Sequence, residues 1–154
     1  MKKLLLLLIC PLLINCGQSY PEKQQLFLDK INLISDKYME VYDSNELAKD
    51  ITIKDMKSYL KQFENVTINN WMGNIEKIDV RFMDVETKDG TYFQLFAEDG
   101  LELTDLIDRN VLLNLKEGQL VSFSGLLLKE QSLTTGGMMS DPEFKVILQK
   151  LTIP

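Results

Sequence analysis

The chain has no histidine among its 154 residues, and only two cysteines and one tryptophan. Without histidine there is no imidazole for a Ser-His-Asp triad, a Cys-His pair or a histidine-based metal site. Positive charge is also scarce: 17 basic against 23 acidic side chains give a net charge of −6. Such a surface repels phosphate backbones and anionic headgroups. Long apolar runs are missing too. The nearest is the eleven-residue stretch Leu4 to Ile14, interrupted by Cys10 and Pro11, too short to cross a hydrocarbon core of about 30 Å as a helix. What remains is a chain of the length of one modest domain, 45% apolar and 26% charged, able to bury a core of its own.

The short apolar run follows Met1-Lys2-Lys3, and a positive n-region before a short h-region reads as a signal peptide over residues 1–15. Leu13-Ile14-Asn15-Cys16-Gly17 follows directly and resembles the lipobox of bacterial lipoproteins, with Asn15 where Gly, Ala or Ser is usual. The resemblance implies cleavage before Cys16, acylation of Cys16, and a lipid-anchored tether over residues 16–20. Ordinary secretion, with Cys16 either just before the cut or left as a free thiol, is the alternative. Gly17 stands where an Asp commonly retains lipoproteins at the inner membrane, so the resemblance implies an outer-membrane location facing the periplasm in a two-membrane cell. At about 0.8 kcal/mol per buried CH₂, two or three acyl chains make release negligible. Loss of residues 1–15 leaves 15 basic and 23 acidic side chains, a charge of −8, so lipid rather than charge would hold the protein to the membrane. An acylated Cys16 also leaves no thiol for a disulfide, and stability must come from packing.

Pro21 suits a helix start. After it Phe27, Ile31, Ile34, Tyr38 and Val41 recur at steps of four and three, with Leu26, Met39 and Tyr42 widening the stripe. Ser44 or Asn45 is placed to cap a short turn over 46–50. Thr52 with Asp55 looks like a capping box opening a second helix that carries Met56, Tyr59, Leu60 and Phe63. Residues 21–65 are therefore expected to form a helical hairpin that needs an apolar partner surface. Beyond Asn65 the period becomes two. Strands are expected over 66–80, with a bulge or bend at Gly73, over 91–97, over 101–103 or alternatively 111–115, over 120–128 and over 144–153. Fourteen residues, 129–142, connect the last two strands.

Five strands, the long first strand and the segment Leu115-Lys116-Glu117-Gly118-Gln119-Leu120-Val121-Ser122-Phe123-Ser124-Gly125 resemble an OB-type barrel. Asn70-Trp71-Met72-Gly73-Asn74-Ile75, Ser132-Leu133-Thr134 and Asp141-Pro142-Glu143-Phe144 are similar to motifs of one group of uncharacterised secreted bacterial proteins. The resemblance implies an α+β fold, the hairpin of 21–65 packed on a barrel of 66–154 as one unit, and no particular activity, because this fold hosts many. Nucleic-acid binding, frequent in OB barrels, is not expected: residues 66–154 carry eight basic and fourteen acidic side chains.

Several residues are candidates for a site. In the strand over 91–97, Tyr92, Gln94 and Phe96 share one face, while Phe93 and Leu95 share the other. The aromatic pair on one of these faces must either be covered by the hairpin or be exposed for a ligand, and coverage is expected because the hairpin needs an apolar surface. Trp71, beside a glycine, is expected to pack, with an exposed stacking platform as the alternative. Met138 and Met139, behind two glycines, suit a surface that repacks on a partner. Asp84 to Gly90 lacks the glycine and ligand spacing of a calcium loop, and the acids Glu98, Asp99, Glu102, Asp105 and Asp108 read as a solvated run. No motif fixes the geometry of a carboxylate pair, so no catalytic residue, cofactor or metal is assigned. The expected function is a non-catalytic binding module for another envelope protein or complex, with a small-molecule or glycan binder using the Tyr92 and Phe96 face as the alternative.

Overall fold

The computed structural model describes residues 19–128 and 137–154, and the side chains of all of these except 137 and 138. The signal peptide, Cys16, the Ser132-Leu133-Thr134 stretch and the Met138 side chain lie outside that description.

Helix α1, Glu22–Val41, starts straight after Pro21, whose carbonyl accepts the Gln25 N–H at 2.9 Å. Its inward stripe is Phe27, Leu28, Ile31, Ile34 and Tyr38, each no more than 4% exposed. The stripe is narrower than the sequence suggests: Leu26, Met39 and Tyr42 face solvent at 60%, 53% and 47%. Helix α2 is one continuous element, Glu46–Leu60, capped by the Asn45 side chain, which accepts from the Ala48 N–H at 3.1 Å. Thr52 does not open a new helix. Its hydroxyl donates to the Ala48 carbonyl at 2.9 Å, as a Thr inside a helix can, and no Gly or Pro interrupts the run. A short 3₁₀ turn, Lys61–Phe63, leads to the barrel.

The strands are β1 (Val66–Ile78), β2 (Phe82–Glu86), β3 (Tyr92–Phe96), β4 (Leu120–Leu127) and β5 (Glu143–Thr152). They close in the order β1-β2-β3-β5-β4, with β3 and β5 parallel and the other pairs antiparallel. The molecule is thus an α+β fold, a helical pair on a closed, OB-like five-stranded barrel. One strand sits elsewhere than expected. Residues 101–103 and 111–115 form no strand; they contribute to the helical turns α3 (Leu103–Leu106) and α4 (Arg109–Asn114), and the missing strand is β2. The acids explain both differences. Asp84 and Glu86 point outward from β2 while Met83 and Val85 are fully buried. Asp105 accepts the Glu102 N–H at 2.8 Å in a reciprocal capping box, and Asp108 accepts from Asn110 and Val111.

Gly73 is no bulge either. The register shifts between Ile68 and Trp71, where Asn70 takes a positive φ of 54° and its N–H is held by the Ser124 hydroxyl at 2.8 Å. Gly73 instead allows close approach of β2: a Cβ there would lie 2.5 Å from Val85 Cγ1 and 2.8 Å from the Glu86 carbonyl oxygen.

Helix α1 packs where β3 and β5 begin. Phe27 meets Trp71 at 5.0 Å, Phe144 at 5.1 Å, Phe63 at 4.9 Å and Phe93 at 6.4 Å between ring centroids. Fully buried Gln24 fixes this docking: its Nε2 donates to the Met72 carbonyl at 2.6 Å and its Oε1 accepts the Met72 N–H at 2.8 Å. Tyr20 ties the start of the helix to the β2–β3 turn, its hydroxyl accepting the Lys88 N–H at 2.6 Å with the Lys88 ammonium 4.9 Å from its ring. Burial raises the Tyr20 phenol above its usual pKa, the Lys88 hydrogen bond only partly opposing this. α5, Gly137–Ser140, packs against α1.

Candidate functional site

Because side chains alternate along a strand, β3 sends Phe93 and Leu95 inward and leaves Tyr92, Gln94 and Phe96 half-buried on the outer surface. The inward set lies inside the closed barrel, with Phe27 of α1 6.4 Å from Phe93, and the hairpin does not cover the Tyr92 and Phe96 face as expected, because its apolar stripe is taken up at the end of the barrel. On that face the register builds rungs across three strands. Asp84, Gln94 and Lys145 form a polar rung, with Gln94 Nε2 donating to Asp84 Oδ1 at 3.2 Å. Phe82, Phe96 and Ile147 form an apolar rung beside it, with the Lys77 ammonium 5.0 Å from the Phe82 ring.

The loop after β3 rises beside these rungs. Glu98, Asp99 and Leu101, with Leu128 just after β4, complete a groove of about 830 Å³ whose floor is Gln94, Phe96, Lys145 and Ile147. This falls within the range of ordinary ligand clefts, about 300–1,000 Å³. A narrower extension of about 330 Å³ runs past Leu106, Leu126 and Leu148 to Gln149. The combination is one aromatic face, aliphatic walls, amide and ammonium donors, and carboxylate acceptors at the rim.

The structure sorts the sequence candidates. Phe96 lines the groove. Tyr92 lies on the same face one rung away, between Glu86 and Glu143, and does not line it. Its phenol is raised above the usual value, first by the hydrogen bond with Glu86, then by desolvation and the negative charge of Glu86, Glu76 and Asp141. Trp71 is 3% exposed and packs against Phe27 and Phe93, which removes it as a stacking platform. Met139 is 1% exposed within the core cluster, so it offers nothing to a partner. Asp105 of the acid run is a helix cap and does not line the groove, whose rim carries Glu98. Asp84 and Glu86 are strand residues with outward side chains, not members of a cation loop. Lys145 and Ile147 entered no sequence reading, because only the parallel pairing of β3 with β5 brings them beside Gln94 and Phe96.

Among the described residues no group of three or more Cys, Asp or Glu side chains is arranged to hold a metal ion, and no helix is long and apolar enough to cross a membrane. A scan against protein-family models finds no match, and a search of the curated proteins finds none.

Proposed function

We propose that this protein is a non-catalytic binding module, held at the cell envelope by acylation of Cys16, whose groove on β3 and β5 takes a small polar ligand of the glycan class. The observation that carries the reading is the open groove with Phe96 in its floor. A sugar presents an apolar C–H face and a ring of hydroxyls that both donate and accept. Phe96 supplies a flat apolar surface for the first, and Gln94, Lys145, Glu98 and Asp99 supply donors and acceptors for the second. A nucleic acid fits poorly, since two carboxylates and one ammonium line the groove.

A protein partner is the second reading, favoured by the leucine-lined extension past Leu106, Leu126 and Leu148. An extended peptide, not a sugar, would use that length. It would have to dock here and not through Met139.

The test is an oligosaccharide array probed with the wild-type chain and with Gln94→Ala and Lys145→Ala, two changes at partly or fully exposed positions that leave the core untouched. The expected result is a subset of sugars retained by the wild type and lost by both variants at unchanged melting temperature. Retention by all three alike, or by none, would overturn the glycan reading.

A further inference from the structure

Helix α1 repeats itself on the side turned away from the barrel. Glu22-Lys23, Asp29-Lys30 and Asp36-Lys37 recur every seven residues, and one place in these heptads is held by Leu26, Leu33 and then Glu40. At about 100° per residue, the two leucines project opposite the buried stripe, the acids run down one flank and the lysines down the other. All nine side chains are exposed, Leu26 at 60% and Leu33 at 47%.

The flanking charges are not spent within the helix. Helical ion pairs form between residues three or four apart, and neither Lys23 nor Lys30 has an acid at those spacings. Among the described residues the ion pair formed is Lys49 with Glu46, in α2. Asp29 accepts a hydrogen bond from Gln25 at 2.7 Å, which leaves its charge uncompensated.

We propose that this face pairs with the same face of a second copy of the chain, with the two α1 helices parallel. Charge sets the orientation. Two copies related by a two-fold axis parallel to the helices place the acid flank of each against the lysine flank of the other, on both sides of a leucine seam. Antiparallel copies would set acid against acid and lysine against lysine. The flanks then act as the charged positions of a coiled coil do in choosing partner and orientation.

The pairing rests on the reading that Cys16 is acylated. Pro21 lies five steps along the chain from Cys16, with four residues between them, a reach of about 17 Å at most. Two chains anchored in one leaflet therefore present their α1 N-termini to the same surface, which is the parallel arrangement. Two leucines in three heptads, with Glu40 at the third place, make a contact smaller than the roughly 1,600 Å² of a standard stable interface. Confinement to a membrane, which raises the effective concentration, is what lets so small a contact form. A bilayer is a poorer occupant of this face, because four acids, Glu22, Asp29, Asp36 and Glu40, lie along it beside the three lysines.

The experiment uses the full-length chain in its own envelope with Leu33→Cys, exposed to a mild oxidant. In a parallel pair residue 33 meets its own copy, so a disulfide-linked dimer is expected. An antiparallel pair would instead link a Leu26→Cys chain to a Leu33→Cys chain. Adding Lys23→Glu, Lys30→Glu and Lys37→Glu should abolish the dimer. Co-expression with a chain carrying Glu22→Lys, Asp29→Lys and Asp36→Lys, and Leu33→Cys as well, should restore it as a heterodimer. The melting temperature of each variant checks folding. Detergent-phase partition and the mass of the N-terminal peptide report the anchor separately. An anchored chain that gives no Leu33→Cys dimer, or one indifferent to charge reversal, overturns the pairing and leaves the anchor standing. An unmodified Cys16 in a soluble chain overturns the anchor, and the surface-confined pairing with it.

Discussion

Gln24 carries more of the fold than its polarity would suggest. Its amide replaces a neighbouring strand for both backbone groups of Met72, across 48 residues of sequence. Gln24→Ala would orphan a buried N–H and a buried C=O, at about 1–3 kcal/mol each, and thermal unfolding should show a loss of that order. Ser35 is the opposite case. Its hydroxyl is buried in α1 without a hydrogen-bond partner, so Ser35→Ala removes an unsatisfied group and adds helix propensity. The same melts should show it unchanged or slightly stabilised. Trp71, at the centre of the aromatic cluster, should cost about 3–5 kcal/mol when cut to Ala. A chain that melted normally as Trp71→Ala would contradict its place in the core.

At the scale of elements, α1 was readable because Phe27, Ile31, Ile34 and Tyr38 keep a helical period that only a buried face requires. Leu26 lies on the other side of the helix, and its exposure shows that periodicity does not tell an inward residue from one facing outward at the same hydropathy. β2 was hidden for the reverse reason. It is five residues long, two of them outward acids, and its identity comes from pairing with β1 and β3 on either side. The groove was half legible: Gln94 and Phe96 share a face by alternation alone, but Lys145 and Ile147 join them through a parallel pairing about fifty residues away. Two predictions belong to this scale. Asn45→Ala should cost about 1 kcal/mol by removing the cap of α2. Gly73→Ala should destabilise more, since the new methyl would meet Val85 and the Glu86 carbonyl, and the backbone side of that contact cannot rotate away. Denaturant midpoints rank the two.

For the whole molecule, the missing histidine gives a pH response. No side chain of ordinary pKa titrates between pH 5 and 8, so stability should be flat across that window. Tyr20 and Tyr59 are each raised in the folded state, chiefly by burial. A raised folded pKa means the contribution is complete below the unfolded value of about 10 and is lost as pH climbs through the folded value. Chemical denaturation repeated across pH should therefore show a fall in stability only above about pH 10; Tyr20→Phe should make that fall smaller by removing one raised phenol, while lowering stability below pH 10 by deleting the hydrogen bond from the Lys88 N–H. The hairpin end of the barrel is sealed by this packing and the opposite sheet surface is left open, which is why the binding reading is placed on the groove.

The most direct test of that placement is a two-dimensional amide NMR titration with the oligosaccharide most strongly retained on the array. The account requires shift changes centred on Gln94, Phe96, Lys145 and Ile147. Changes centred on α1 or α5 instead, or an unchanged spectrum at saturating sugar, would contradict it.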